Sequence, residues 1–233
     1  DGTNTDTEAI VVNVTNENDN TPAFTSDSSF SIAEGTDSVA TLTGSDADLT
    51  TPTFSTTLAG DDAGDFTLTS GGVLAFAATP NFESPADANT NNVYSITATI
   101  TDGTNTATQA ITITVTNVNE STPAFTSDSS FSIAEGTDSV ATLTGSDADL
   151  TTPTFSTTLA GDDAGDFTLT SGGVLAFAAT PDFEAAADAD TNNVYSITAT
   201  ITDGTNTATQ AITITVTNVN EAPVITTTSF SNI

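Results

Sequence analysis

Tyr94-Ser95-Ile96-Thr97-Ala98-Thr99-Ile100 alternates apolar side chains with hydroxyl-bearing ones without a break, and Ile111-Thr112-Ile113-Thr114-Val115 does so again a short way beyond. A period of two sends alternate side chains to opposite faces of a strand, so both runs read as half-buried β-strands. Asp102-Gly103 between them supplies a hairpin-type turn. Working outward, shorter strand candidates cover Phe30–Ala33, Val39–Thr43, Thr53–Thr57, Phe66–Thr69 and Val73–Ala77, punctuated by Glu34-Gly35, Gly60-Asp61 and Ser70-Gly71-Gly72. No segment holds a helical period. About seven short strands in roughly 100 residues define an all-β chain of antiparallel, immunoglobulin-like β-sandwiches, here without the Cys and Trp of a true immunoglobulin domain. Phe30, Phe66 and Phe76, at strand spacing, are expected in the core.

The same pattern occurs twice. Thr21 recurs at Thr122, a period of 101 residues, the difference between positions 21 and 122. From Thr21 to Thr116 the copies differ only at Asn81/Asp182, Ser84/Ala185, Pro85/Ala186 and Asn89/Asp190. The ends keep this register, since Asp1-Gly2-Thr3-Asn4-Thr5 matches Asp102–Thr106 and Asp203–Thr207. Residues 1–20 are therefore expected to be the last strand of a preceding repeat plus a joint, 21–121 and 122–221 two complete repeats, and 222–233 the first strand of a following one. Neither fragment can bury its apolar face alone. The chain reads as a window on a longer array of such repeats, or as a subunit whose ends are completed by neighbours through strand addition.

Composition narrows the function. The 233 residues carry 31 Asp and Glu and no Lys, Arg or His, a formal charge of −31 with nothing to offset it. Such a chain repels itself when compact. Its 36% hydrophobic residues nevertheless fall in alternating runs, unlike the diluted composition of a disordered chain. Divalent cations are the economical counter-charge. Phosphate binding needs Lys or Arg, which excludes nucleic acid and anionic membrane surfaces as partners. No run reaches the roughly 18 apolar residues of a spanning helix, and Asp1 opens no signal peptide, so a mature or excised piece without membrane insertion is expected. With no Cys, disulfides cannot stiffen the chain.

Acidic and amide residues recur at fixed places. The segment Asn16-Glu17-Asn18-Asp19-Asn20-Thr21-Pro22-Ala23-Phe24 returns as Asn117-Val118-Asn119-Glu120-Ser121-Thr122-Pro123-Ala124-Phe125, and, one residue shorter, as Asn218-Val219-Asn220-Glu221-Ala222-Pro223. Oxygen donors without a basic partner suit a hard cation, and Pro gives a stiff, donor-free exit from one domain into the next. Four shorter motifs accompany it: Ala33-Glu34-Gly35, Asp46-Ala47-Asp48, Asn81-Phe82-Glu83 and Asp102-Gly103, with Glu135, Asp147 and Asp149, Asp182 and Glu184, and Asp203 in the second copy. Alternate residues of an extended segment point the same way, so an Asp-x-Asp pair can bring two carboxylates to one place. Each motif also has a plainer reading: Asp46/Asp48 and Asp147/Asp149 as solvated turn residues, Glu34 and Glu135 as strand-end charges, Asp102 and Asp203 as turn formers. Asp61, Asp62 and Asp65, and Asp188-Ala189-Asp190, read as solvated loops.

Together these motifs resemble tandem cadherin repeats. The family's joint, Asp-x-Asn-Asp-Asn-x-Pro, matches Asn16–Pro22 with Asn for the leading Asp, and its upstream Glu, Asp-x-Glu and Asp-x-Asp follow in the family's order over essentially the whole chain. The resemblance implies Ca2+ between successive repeats, up to about three ions per complete joint. For the middle joint it implies Glu34, Asn81 and Glu83 from the upstream repeat; Glu120, the Asn119 side chain and carbonyls near Val118 and Ser121 from the joint; and Asp147, Asp149 and Asp203 from the downstream repeat. For the first joint it implies Glu17, Asn18, Asp19, Asn20, Asp46, Asp48 and Asp102. For the third it implies Glu135, Asp182, Glu184, Asn220 and Glu221. Glu120 and Glu221 stand where the family has Asp, and Asn81 where it has an acid. The Trp and strand-exchange anchor of adhesive animal cadherins are absent, so their mode of adhesion does not carry over.

Calcium accepts six to eight oxygens in irregular geometry, whereas zinc wants the His and Cys this chain lacks. Paired carboxylates suffice for glycoside hydrolysis, but these gather at expected domain ends rather than in a cleft, and no triad base or thiolate exists. No enzyme is expected. A calcium-dependent glycan-binding module is the rival reading, weakened by few aromatics. The expectation is a calcium-stiffened extracellular structural or adhesive protein, on a cell surface or in a secreted matrix, forming a stalk or filament through self-association or further identical repeats.

Overall fold

The computed structural model describes residues 2–223 and divides into two compact units, Asp1–Val118 and Asn119–Ile233. In the first, β1 (Ala23–Phe24), β2 (Ser29–Ala33), β3 (Ser38–Thr41), β4 (Gly44–Ser45) and β5 (Thr53–Phe54) precede a 3-10 turn at Ala63–Asp65. Then come β6 (Phe66–Leu68), β7 (Val73–Phe76), β8 (Val93–Thr101) and β9 (Thr106–Thr116). They form a four-stranded sheet β2-β9-β8-β5, a three-stranded sheet β3-β7-β6 and a short pair β1-β4.

The β8–β9 hairpin is the backbone of the unit. Its register sets Tyr94 opposite Ile113 and Ile96 opposite Ile111, so the apolar set of both strands lies on one face. That face meets Leu42, Phe54, Phe66, Leu68, Leu74 and Phe76 in a single core with Tyr94, Ile96, Ile100, Ile111, Ile113 and Val115. Burying each such side chain is worth about 1.5–3 kcal/mol. Phe66, Phe76 and Tyr94 pack with ring centroids 4.5–5.5 Å apart, Tyr94 edge-on to both. The Tyr94 hydroxyl accepts the Ala86 amide at 3.2 Å, which ties the loop before β8 to the core. Phe30, expected inside, is half-buried against the core's edge.

The sandwich is antiparallel except at one place, where β2 runs parallel to β9, Phe30 opposite Ile113 and Ile32 opposite Val115. Strand β5 is shorter than expected because the Ser55 hydroxyl accepts the Thr57 amide at 3.2 Å and turns the chain, which rejoins β8 only at the Ala59–Thr97 bridge. At Gly72, with φ +89°, a Cβ would lie 2.3 Å from the Leu42 carbonyl oxygen and 2.9 Å from a Phe54 ring carbon, so this turn requires glycine.

The second unit repeats the plan with β10 (Ala124–Phe125), β11 (Ser130–Ala134), β12 (Ser139–Thr142), β13 (Gly145–Ser146), β14 (Thr154–Phe155), a 3-10 turn Ala164–Asp166, β15 (Phe167–Leu169), β16 (Val174–Phe177), β17 (Val194–Thr202) and β18 (Thr207–Thr217). Its sheets are β11-β18-β17-β14, β12-β16-β15 and β10-β13, with β11 parallel to β18.

Residues 2–15 pair with no strand among the described residues, Ile10, Val11, Val12 and Val14 being 83%, 82%, 77% and 92% exposed, as a strand whose sheet is expected in another repeat would be. A single strand without a ladder partner would leave its backbone groups unpaired. The strand expected after Pro223 falls on residues 224–233, outside those described. One expectation needs correction: the loop acids are not uniformly solvated. Asp62, Asp163 and Asp188 are buried, as is Asp87. Asp62 accepts the Ala88 and Ser95 amides, each at 2.7 Å, and Asp188 accepts those of Asn192 and Asn193 at 2.7 and 3.2 Å. These carboxylates stand in for strand partners that the loop amides lack.

Candidate metal centre

The predicted acidic residues gather at the two ends of each unit. At the far end of the second unit, Gly136 turns the chain after β11 and presents Glu135 beside the Pro181–Glu184 loop. Glu135 is 8% exposed, and its two oxygens accept the Val219 amide at 2.6 Å and the Phe183 amide at 2.7 Å. These amides hold the carboxyl below its ordinary value, so it is ionised throughout the neutral range. Glu135, Asp182 and Glu184 each offer an oxygen within 4.8 Å of the others, and Glu221 shares with Glu135 and Asp182 a cleft of about 350 Å³. Calcium–oxygen bonds of about 2.4 Å place ligands across one ion up to about 4.8 Å apart, so three such oxygens fit a common ion. The Asn218 amide holds Glu184, while Asn220 is exposed.

The first unit ends alike. Glu34 accepts the Val118 and Phe82 amides, each at 2.7 Å, and an oxygen of Glu83 lies within 4.8 Å of one of its own. Asn117 donates to Glu83 at 3.2 Å. Asn81 is exposed and its side-chain oxygen caps the Ser84 amide at 2.7 Å.

At the start of each unit the Asp-x-Asp segment organises the joint. In the first, Asp48 accepts the Asn20 backbone amide at 2.6 Å and the Asn20 side chain at 2.5 Å, which pulls its carboxyl below the usual value. Asp19 accepts a further Asn20 side-chain bond at 3.0 Å, and Glu17 is exposed. Burial pushes the Asp102 carboxyl up, but the Asn105 and Thr104 amides at 2.7 Å outweigh it and hold it low. In the second unit Asp149, 1% exposed, accepts the Ser121 amide at 2.7 Å, and Asp147 accepts the Asp149 amide at 2.9 Å. Asp203 matches Asp102, and the Asn119 side chain meets its carbonyl at 3.5 Å. Glu120 is exposed on the segment between Val118 and Ser121.

The donor chemistry fits a hard cation. Buried oxygens Asn18 Oδ1, Asp46 Oδ2 and Asp147 Oδ2 have no hydrogen-bond partner among the described residues. Such a situation costs about 1–3 kcal/mol per group unless something else supplies positive charge. Two supporting sets have no role assigned by the motifs alone. Asn105 and Asn206 donate to the Asn20 and Ser121 carbonyls at 2.8 and 2.6 Å, fixing the joint against the Asp-Gly turn. Asn16 donates to the Asp48 carbonyl at 2.6 Å, alongside the Asn117 and Asn218 bonds to Glu83 and Glu184. The signal was present, since Asn4, Asn105 and Asn206 recur at one register position.

Sandwiches of this strand order have the fold of cadherin ectodomain repeats. Solved structures bear this out. Drosophila N-cadherin EC1–4 matches with a TM-score of 0.66 at 20% identity, over 85% of this chain and 50% of that one. Mouse cadherin-23 EC22–24 matches at 0.62 and 19%, over 87% and 66%, and human protocadherin-24 EC1–2 at 0.62 and 16%, over 86% and 99%. The chain thus spans half of the Drosophila fragment. At such identities the likeness is one of fold. No protein-family model and no curated protein matches the sequence.

Proposed function

We propose that this chain is a calcium-binding repeat protein of an extracellular structural or adhesive array, in which ions held at the repeat ends stiffen the string. The observation carrying this reading is the convergence of Glu135, Asp182 and Glu184 on one ion-sized space in a chain without a single basic side chain. Glu34 and Glu83 begin the same arrangement in the first unit, and Glu120, Asp147, Asp149 and Asp203 belong to the segment and repeat that would complete it.

The mechanism follows from charge. Without cations the carboxylates at a repeat end repel one another and the joint swivels; shared ions neutralise them and restrain it. Affinities of roughly 10⁻⁴–10⁻³ M, usual for extracellular calcium modules, suit millimolar surroundings. The role is structural rather than catalytic. Every described aromatic side chain is buried or half-buried, so none among the described residues offers a fully exposed stacking face to a sugar. Calorimetric calcium titration of the chelator-stripped chain, paired with small-angle scattering, tests the reading. Saturable heat and a narrowed distribution of dimensions are expected; absence of binding at millimolar calcium refutes it.

A further inference from the structure

A second recess adjoins the joint acids, sharing Asn81 and Asp182 with them as one wall. Beside the Ala63–Asp65 turn is a cleft of about 210 Å³ walled by Phe76, Ala78, Pro80, Ala86 and Tyr94, with Asp65 as its carboxylate; the second unit has its counterpart of about 200 Å³ at Asp166. Both are smaller than the roughly 300–1,000 Å³ sites that hold a whole small molecule, and suit one inserted side chain.

Three acids meet here, with unequal lots. Asp62 has both oxygens on the Ala88 and Ser95 amides, and Asp87 has both on those of Asn91 and Asn92. Among the described residues no hydrogen bond reaches the Asp65 carboxylate. Burial, then the charges of Asp62 and Asp87, push it above its ordinary value. A carboxylate in this state is stabilised by a cation, and the chain contains no Lys, Arg or His to provide one. A cationic group on another molecule, with a stem matching the apolar walls, would supply the counter-charge that the chain lacks.

The repeats themselves mark the cleft. Of the four positions that distinguish 21–116 from 122–217, Asn81/Asp182 and Ser84/Ala185 line it and Pro85/Ala186 adjoins it. Apart from Asn89/Asp190, the rest of the sandwich is copied unchanged, including every core residue. The exchange at 81/182 places a second carboxylate on the wall of the second cleft.

We propose that each cleft receives the lysine side chain of a basic partner protein, its methylenes against the aromatic and alanine walls and its ammonium at Asp65 or Asp166. With calcium bound, Asp182 is engaged by the ion and adds no free charge, so the two clefts bind alike.

The test uses the full chain with saturating calcium and Nα-acetyl-lysine methylamide as probe, read by saturation transfer from protein to probe protons. Saturable transfer to the side-chain methylenes is expected, with none to the norleucine analogue. Combining Asp65→Asn and Asp166→Asn is expected to abolish it, each single variant to remove about half, and Asp61→Asn with Asp162→Asn to leave it intact. Equal transfer to norleucine, persistence in the Asp65/Asp166 double variant, no loss in either single variant, or loss with Asp61 and Asp162 each overturns the proposal. Thermal melts confirm folding of every variant, and calcium affinity is measured in parallel, so failure here is distinct from failure of the calcium reading.

Discussion

Replacing Asp62 by alanine removes the clamp that joins the loop before β8 to the strand itself. Its carboxylate accepts the Ala88 and Ser95 amides at 2.7 Å from a site only 4% exposed. Hydrogen bonds to a charged group are worth about 1.5–3 kcal/mol each, and both amides would be left without an acceptor. Removing the charge also relieves the repulsion it exerts on Asp65, which returns part of the loss. The expected net cost is about 2–4 kcal/mol, a large share of the roughly 5–15 kcal/mol that stabilises a domain of this size. At about 4–8 °C per kcal/mol, the first unit should melt roughly 10–30 °C early. Scanning calorimetry of the whole chain in calcium is the assay: the single endotherm of two near-identical units should split, with the second, held by its own Asp163, unmoved. Calcium affinity at the repeat ends should not change. Exposed Asp61→Ala is the matched control, expected within about 0.5 kcal/mol of the parent. An unsplit, unshifted endotherm for Asp62→Ala would refute the structural role assigned to this acid.

Asp149→Ala should weaken calcium binding measured by calorimetry, since Asp149 anchors the Ser121 amide beside Asp147, whereas Asp61→Ala should not. Calcium at about 100 times its dissociation constant should raise stability by about 2.7 kcal/mol per site, visible as a melting shift that a chelator abolishes. Asp65 titrates above its reference of 3.8 when folded, so its contribution is favourable below that reference and lost as pH rises through the folded value. Asp65→Asn should therefore be more stable than the parent at pH 7, with the gap closing as pH falls toward about 4 in denaturant melts. Asp48 and Asp102 have the opposite sign: folded values below 3.8 give stability that is present above that reference and disappears as pH falls through the folded value. Gly72→Ala combines a clash at the Leu42 carbonyl with a positive φ. Its cost in thermal melts should be at least about 2 kcal/mol, in the range of overpacked and strained sites.

Most of the sandwich was legible because its burial has the simplest period. Tyr94 to Ile100 and Ile111 to Val115 are buried on the alternate residues the sequence marks. The parallel β2–β9 pair was not legible, since alternation fixes which residues face inward but not the direction of the neighbour. The site divides in the same way. Glu34 and Glu135 could be singled out because they recur before glycine, yet their bonds to Val118 and Val219 join positions 84 residues apart, which only the folded register supplies. Asp62 and Asp188 read as loop acids because polarity in a turn says nothing about whether an amide elsewhere needs an acceptor. Asn105 and Asn206 were overlooked for a related reason: an amide side chain beside Asp-Gly suits a turn as well as it suits a tether.

The hairpin β8–β9 and its counterpart β17–β18 are letter-for-letter the same, VYSITATIT followed by TATQAITITVT. Either copy of the last strand satisfies either sheet with the same hydrogen bonds and the same buried side chains, so an exchanged arrangement has almost no energetic handicap against the correct one. Refolding from denaturant therefore has a built-in decoy, and emergence of one repeat at a time during synthesis is the route that avoids it.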